Sequence, residues 1–172
     1  MSTPLAILME TGVPLLIVGG TAVQIYGFSR YTKDFDCVVA ADREGELATA
    51  MIKAGFQEFV RNTLVVRYRH SVHTDWIVDT LLVNSETFGK MWAARREIRL
   101  GALALTVAAP LHVVAMKLHA MRQNPSRTLP DILDIAELLR RDQGNWTIEE
   151  VRATCERYGP PGIFDALRPH FE

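Results

Sequence analysis

Two aspartates one residue apart, Asp34 and Asp36, open the apolar run 35–39. A strand here sends both carboxylates to one face and Phe35 and Cys37 to the other. Side by side at neutral pH the carboxylates repel, and a divalent cation is the usual way to keep such a pair ionised. A hard ion such as Mg²⁺ takes oxygen ligands and keeps positions open for substrate phosphates. The chemistry that follows is metal-assisted phosphoryl or nucleotidyl transfer. Upstream, the apolar run 15–18 stops at Gly19-Gly20, and thirteen residues separate Gly20 from Asp34. Without Cβ atoms the two glycines can turn sharply and let a phosphate approach backbone N–H groups. Residues 21–27 read as a short helix whose N-terminus adds a positive dipole.

Taken together and in this order, these features resemble the nucleotidyltransferase superfamily of the DNA-polymerase-beta type. Its signature is an apolar residue, Gly-Gly or Gly-Ser, a spacer of about this length, and Asp-x-Asp. Gly19, Gly20, Asp34 and Asp36 match it, and Arg30 and Thr32 match the R-x-T-x-D-x-D form of its minimal bacterial members. The resemblance implies in-line attack of a hydroxyl on the α-phosphorus of a nucleoside triphosphate, with pyrophosphate leaving. Asp34 and Asp36 would hold Mg²⁺ or Mn²⁺; Gly19, Gly20 and Thr21 would grip the β- and γ-phosphates, and Arg30 and Thr32 would belong to the nucleotide site.

A third carboxylate is expected from a neighbouring strand in an apolar-Asp-x-Leu setting. Asp79, between Val78 and Leu81, fits; Asp75, on the same face of a strand spanning 75–83, is the alternative. Independently of any family, Asp79 lies in an apolar stretch where an unpaired carboxylate is costly to bury, so it needs a metal, a base or a hydrogen-bond partner. Arg67 and Arg69 share a strand face, which is either a solvated side of an antiparallel sheet or a phosphate-facing one.

From Leu111 onward the periodicity is helical. Val113, Val114, Lys117, Leu118 and Met121 share a face, so Lys117 is an ammonium in an apolar stripe. It either snorkels to water or reaches toward the triphosphate. Asp131 and Asp134 follow a helix start at 128–131 and suit its dipole. The order Lys117, Arg127, Asp131, Asp134 is similar to a helical motif of AbiEii-type toxin nucleotidyltransferases. That likeness implies an RNA acceptor, the tRNA 3′ end first, and a toxin-antitoxin-like pairing with a cognate partner protein. A protein side chain or a small molecule such as an aminoglycoside would use the same core.

The elements that must position these groups follow from pattern. A helix over 4–10 precedes the first strand. Asp42 is placed to cap a helix burying Leu47 and Met51, and Gly55 to end it. Residues 56–73 hold one or two strands; Arg95, Arg96 and Arg99 mark an edge strand ahead of the strand 103–107. Thr147 and Glu150 form a capping box for the helix that follows, and a last short helix covers 163–167. The expected fold class is α+β, with a nucleotidyltransferase-like core, 1–109, whose mixed sheet is flanked by helices, and a C-terminal helical part, 110–172.

Composition agrees with an ordinary globular protein, 48% hydrophobic and 23% charged, and no apolar run approaches a membrane span. The absence of a basic leader and the reading of Cys37 as a buried free thiol point to the cytoplasm. A net charge of −1 gives no global attraction to nucleic acid. Two other readings keep the same residues: a catalytically inactive nucleotide- or protein-binding module, and a metal-dependent phosphohydrolase, which would have no need of the glycine turn.

Overall fold

The computed structural model describes residues 3–171. The chain divides into two compact units. One runs up to Ala22 and resumes from Arg30 to Ala108; the other takes Val23–Ser29 and continues from Ala109.

The first unit is built on one seven-stranded mixed sheet. Its strands are β1 (Leu15–Ile17), β2 (Phe35–Ala40), β3 (Phe56–Arg61), β4 (Val65–His70), β5 (Ile77–Val83), β6 (Arg96–Leu100) and β7 (Leu103–Val107), in the order β3-β4-β5-β2-β1-β7-β6. β2 runs parallel to β5 and β1 parallel to β7, while the remaining neighbours are antiparallel. The fold is therefore α+β with a mixed sheet, as expected. The strand with Arg96 and Arg99 is an edge strand.

Alternation decides what each face carries. Cys37, Val39, Val66, Tyr68 and Val78 point to one side and pack with Leu8, Leu47, Met51 and Phe56. The helices over that core are α1 (Pro4–Glu10), capped by the Thr3 side chain, and α3 (Glu44–Lys53). Each such buried side chain contributes about 1.5–3 kcal/mol. The other face carries Asp36, Arg67 and Asp79.

The sequence reading needs three adjustments here. Asp42 lies in a 3₁₀ turn, Ala41–Arg43, and caps nothing: the residue ahead of α3 is Arg43, with no side-chain cap bond. The strand expected from residue 75 begins at Ile77, leaving Asp75 exposed in the preceding turn. A helix not anticipated, α4 (Ser85–Ala93), starts at Asn84, whose side chain accepts from the Thr87 N–H. The N-S-E-T stretch carried that signal.

The second unit is helical: α5 (Pro110–Gln123), α6 (Thr128–Arg141), α7 (Ile148–Tyr158) and α8 (Ile163–Leu167). Val113, Val114, Leu118 and Met121 are buried as the periodicity requires, with Ile135 and Leu139 of α6 and Val151 and Cys155 of α7. The capping box of Thr147 and Glu150 is formed in both directions. No described helix is long and apolar enough to cross a membrane.

Candidate active site

β1 leads into α2 (Gly19–Ile25) with a single left-handed residue, Gly19, at φ +59°. Any L side chain is strained there, and a Cβ on Gly19 would overlap the Asp36 carboxylate. The close approach has a bond behind it: the Gly20 N–H donates to Asp36 Oδ2 at 3.3 Å. The helix start thus turns its backbone toward a carboxylate of the chain itself. Gly20 is constrained from the other side, since a Cβ would lie 2.7 Å from Thr32 Oγ1.

Two hydroxyls fix the backbone at Asp34. Thr21, buried at 3% exposure, donates to the Asp34 carbonyl at 3.4 Å, and Thr32 donates to the same oxygen at 3.2 Å. Thr21 and Thr32 therefore position the acidic pair. Arg30 lies beside Gly20 and donates from Nε to the Tyr31 carbonyl at 3.3 Å.

The third carboxylate is a matter of register. Asp79 pairs with Asp36 across the parallel β2–β5 ladder, and Arg67 pairs with Asp79 across the antiparallel β4–β5 ladder. Paired residues share a face with strands about 4.8 Å apart, so Arg67, Asp79 and Asp36 form one row. Arg67 Nε donates to Asp79 Oδ1 at 2.7 Å and Nη2 to Asp34 Oδ2 at 3.2 Å. The hydrogen bond to Asp79, reinforced by the charges of Asp79, Asp34 and Asp36, holds the guanidinium protonated more firmly than usual against its partial burial.

Asp34 Oδ1 is buried and has no hydrogen-bond partner. A carboxylate oxygen in that condition is expensive, and a cation is the natural way to satisfy it. Among the described residues no three His, Cys, Asp or Glu side chains converge as a ready metal cage. Arg67 engages Asp79 and one oxygen of Asp34. The donor set fits a Mg²⁺-like ion held by Asp34 and Asp36, with water and phosphate oxygens completing the shell.

On the reverse of this row, Cys37 Sγ lies 3.5 Å from Thr80 Oγ1. Burial pushes its thiol up to about 12, so it is an inert core group and no nucleophile.

In the second unit Lys117 neither snorkels nor keeps a free ammonium. At 5% exposure its Nζ lies 2.9 Å from Asp131 Oδ1 and 2.6 Å from Asp134 Oδ2, and Arg127 Nε reaches Asp131 Oδ2 at 3.1 Å. Asp131 and Asp134 are buried ion-pair partners, where the sequence suggested residues that complement the helix dipole. The i, i+3 spacing of the aspartates puts both on one helix face, a signal available in the sequence once Lys117 is taken as their partner.

No protein-family model and no curated protein matches the chain. Solved structures do share its fold. The antibiotic-resistance factor ANT(2″)-Ia in solution superposes with a TM-score of 0.66 at 17% identity, covering 97% of this chain and 92% of that one. ANT(2″)-Ia in complex with adenylyl-2″-tobramycin gives 0.56 at 18% identity, covering 98% and 92%. The lincosamide antibiotic adenylyltransferase LnuA, bound to lincomycin, gives 0.56 at 15% identity, covering 76% and 89%. The chain thus shares the fold of these solved structures.

Proposed function

We propose that the chain is a metal-dependent nucleotidyltransferase that moves a nucleoside monophosphate from a triphosphate to a hydroxyl acceptor. The observation that carries this is the unsatisfied, buried Asp34 Oδ1 beside Asp36, with Asp79 in register on the next strand. The shared fold and the Gly-Gly/Asp-x-Asp pattern support the same reading. When bound, Mg²⁺ or Mn²⁺ would neutralise the phosphates and the charge that develops at phosphorus.

The chain's own residues do the rest. Gly19 and Gly20 bring backbone close to the acidic pair, and Thr21 and Thr32 fix Asp34. Asp34 and Asp36 would hold the ion, and Asp79 would complete the site or take the proton from the attacking hydroxyl. The acceptor oxygen bonds to the α-phosphorus as the bond to pyrophosphate breaks. Positioning and charge neutralisation supply most of the catalysis.

A second reading is an inactive binding module of the same fold. Arg67 favours it, because a guanidinium already neutralises Asp79 and part of Asp34. The toxin-like reading, with tRNA or other RNA as acceptor and a cognate partner protein, rests on the motif resemblance; the two similar enzymes suggest a small-molecule acceptor instead.

The test is incubation with each labelled triphosphate, Mg²⁺ or Mn²⁺, total RNA and a panel of aminoglycosides and lincosamides, beside Asp36→Asn. Label is expected to reach one acceptor with the wild type alone. Triphosphate-dependent rise in melting temperature with no transfer to any pool would instead select the binding module.

A further inference from the structure

Of the two edges of the sheet, one is blunted and the other is not. On β3, Glu58 opposes Tyr68 and Val60 opposes Arg67, so Phe59 is an extra residue, its ring covered by Arg69 with Cζ 4.4 Å from the centroid. A bulge of this kind interrupts the row of free backbone groups that a further strand could join. β6 has no such interruption. Its five residues pair continuously with β7, from Arg96 opposite Val107 to Leu100 opposite Leu103. Arg96, Glu97, Arg99 and Leu100 are all exposed.

The turn decides which backbone groups of β6 are free. Leu100 and Leu103 close the two-residue connection Gly101-Ala102, whose first residue sits at φ +62°. The pair that closes such a turn exchanges both of its hydrogen bonds, and bonded pairs recur at every second position of an antiparallel ladder. Arg96, Ile98 and Leu100 therefore direct their N–H and C=O groups at β7, whereas those of Glu97 and Arg99 point to the open edge. Among the described residues no backbone bond from outside the sheet reaches either of them. Their side chains share one face. Glu97 is met by Arg95 at 2.9 Å and by the Thr106 hydroxyl at 3.3 Å, while Arg99 has no ion-pair partner among the described residues.

We propose that β6 is a homodimer interface, in which two copies of the chain pair their β6 strands antiparallel about a two-fold axis at Ile98. Glu97 then lies opposite Arg99 of the partner subunit, and Arg99 opposite Glu97 of the partner subunit. The residues whose backbone groups are free are the ones brought face to face, so each pair exchanges two backbone hydrogen bonds and sets unlike charges across the strands. The neighbouring registers that also match free groups put Glu97 opposite Glu97, or Arg99 opposite Arg99, and are repelled. On the other face Ile98 meets Ile98 of the partner subunit, and Leu100, 56% exposed in the single chain, lies diagonal to it. An acid and a base two residues apart deter unrelated strands but are self-complementary under two-fold rotation. β6 stands three strands from β2, so this pairing is independent of whether the acidic row transfers anything.

The experiment is sedimentation velocity of the full chain over a concentration series, with melting temperatures read alongside to show that each variant is folded. The wild type should pass from monomer toward dimer as concentration rises; five residues make a small interface, and a wild type that stays monomeric to about 1 mM overturns the proposal. Glu97→Arg and Arg99→Glu should each weaken dimerisation about tenfold or more, because like charges then face each other at both pairs. Mixed in equal amounts, the two variants should associate as the wild type does, since one presents only bases and the other only acids. Arg99→Pro removes an N–H that faces solvent in the single chain and should weaken the dimer without disturbing β6 against β7. Should one charge variant fail to fold, the other and Arg99→Pro still carry the test. A dimer that none of these variants weakens overturns the proposal, as do folded charge variants that stay apart when mixed.

Discussion

The protein contains two clusters of like composition and opposite condition. In the first unit Asp34 and Asp79 meet Arg67, with Asp36 in the same row; in the second Asp131 and Asp134 meet Lys117, and Asp131 also meets Arg127. The helical cluster is balanced, two carboxylates against two cations, and its lysine and aspartates are 3–5% exposed. The sheet cluster is reached by solvent and leaves Asp34 Oδ1 unsatisfied. Charges that are paired and buried hold a fold together, whereas a carboxylate oxygen left unsatisfied in a site that solvent reaches can bind something. The same residue types therefore argue for structure in one unit and for chemistry in the other.

Four outcomes would break or sharpen this contrast. Asp34→Asn should cost about a thousandfold or more in transfer rate, since it removes charge where the transition state needs it, and should leave the urea midpoint near the wild-type value. A variant that unfolded instead would make the sheet cluster structural.

Lys117→Met should do the reverse. Taking the ammonium away from two buried carboxylates costs about 3–5 kcal/mol, readable in urea unfolding. Adding Asp131→Asn and Asp134→Asn to it should recover much of that loss, because the uncompensated charge is gone. A loss of activity at unchanged stability would return Lys117 to the nucleotide site.

Arg67→Ala should tighten divalent-ion binding several-fold in a Mn²⁺ titration, because the guanidinium competes for Asp34 and Asp79. Its effect on stability should stay within about 1 kcal/mol, the pair being partly exposed. Weaker ion binding would mean that Arg67 arranges the carboxylates for the metal and does not exclude it.

The smallest effect at neutral pH lies behind the acidic row. The folded Cys37 thiol keeps its proton up to about 12, well above an unfolded cysteine. Its stabilising contribution is thus complete below about pH 8.5 and is lost as pH rises toward the folded value, at about 1.4 kcal/mol per pH unit. Urea midpoints should fall between pH 9 and 11 in the wild type, and less steeply in Cys37→Ser.

Much of this molecule was legible in the order of residues. The pleat put Asp36 on the face opposite Cys37, whereas Asp34 lies in the bend just ahead of β2, outside the alternation; the glycine pair marked the turn that Gly19 makes at positive φ. The α5 stripe and the Thr147 capping box were local patterns and formed as read. Helix α4 was missed because its cap signal was brief and its apolar stripe short.

What depended on pairing was out of reach. Sequence spacing left Asp75 and Asp79 as alternatives, and only the parallel register of β5 against β2 put Asp79 beside Asp36 while the turn took Asp75 away. Arg67 could face solvent or a phosphate until β4 came to lie against β5 and its guanidinium met two carboxylates. The bulge that seats Phe59 under Arg69 belongs to a strand pair, not to a strand. Lys117 looked equally able to reach water or a phosphate, because an apolar stripe says that a side chain is buried and nothing about its partner. Periodicity and backbone sterics are properties of one segment and can be read from it. Register, ion pairing and burial of charge are relations between segments, settled only when the packed sheet and the packed helices bring those segments into contact.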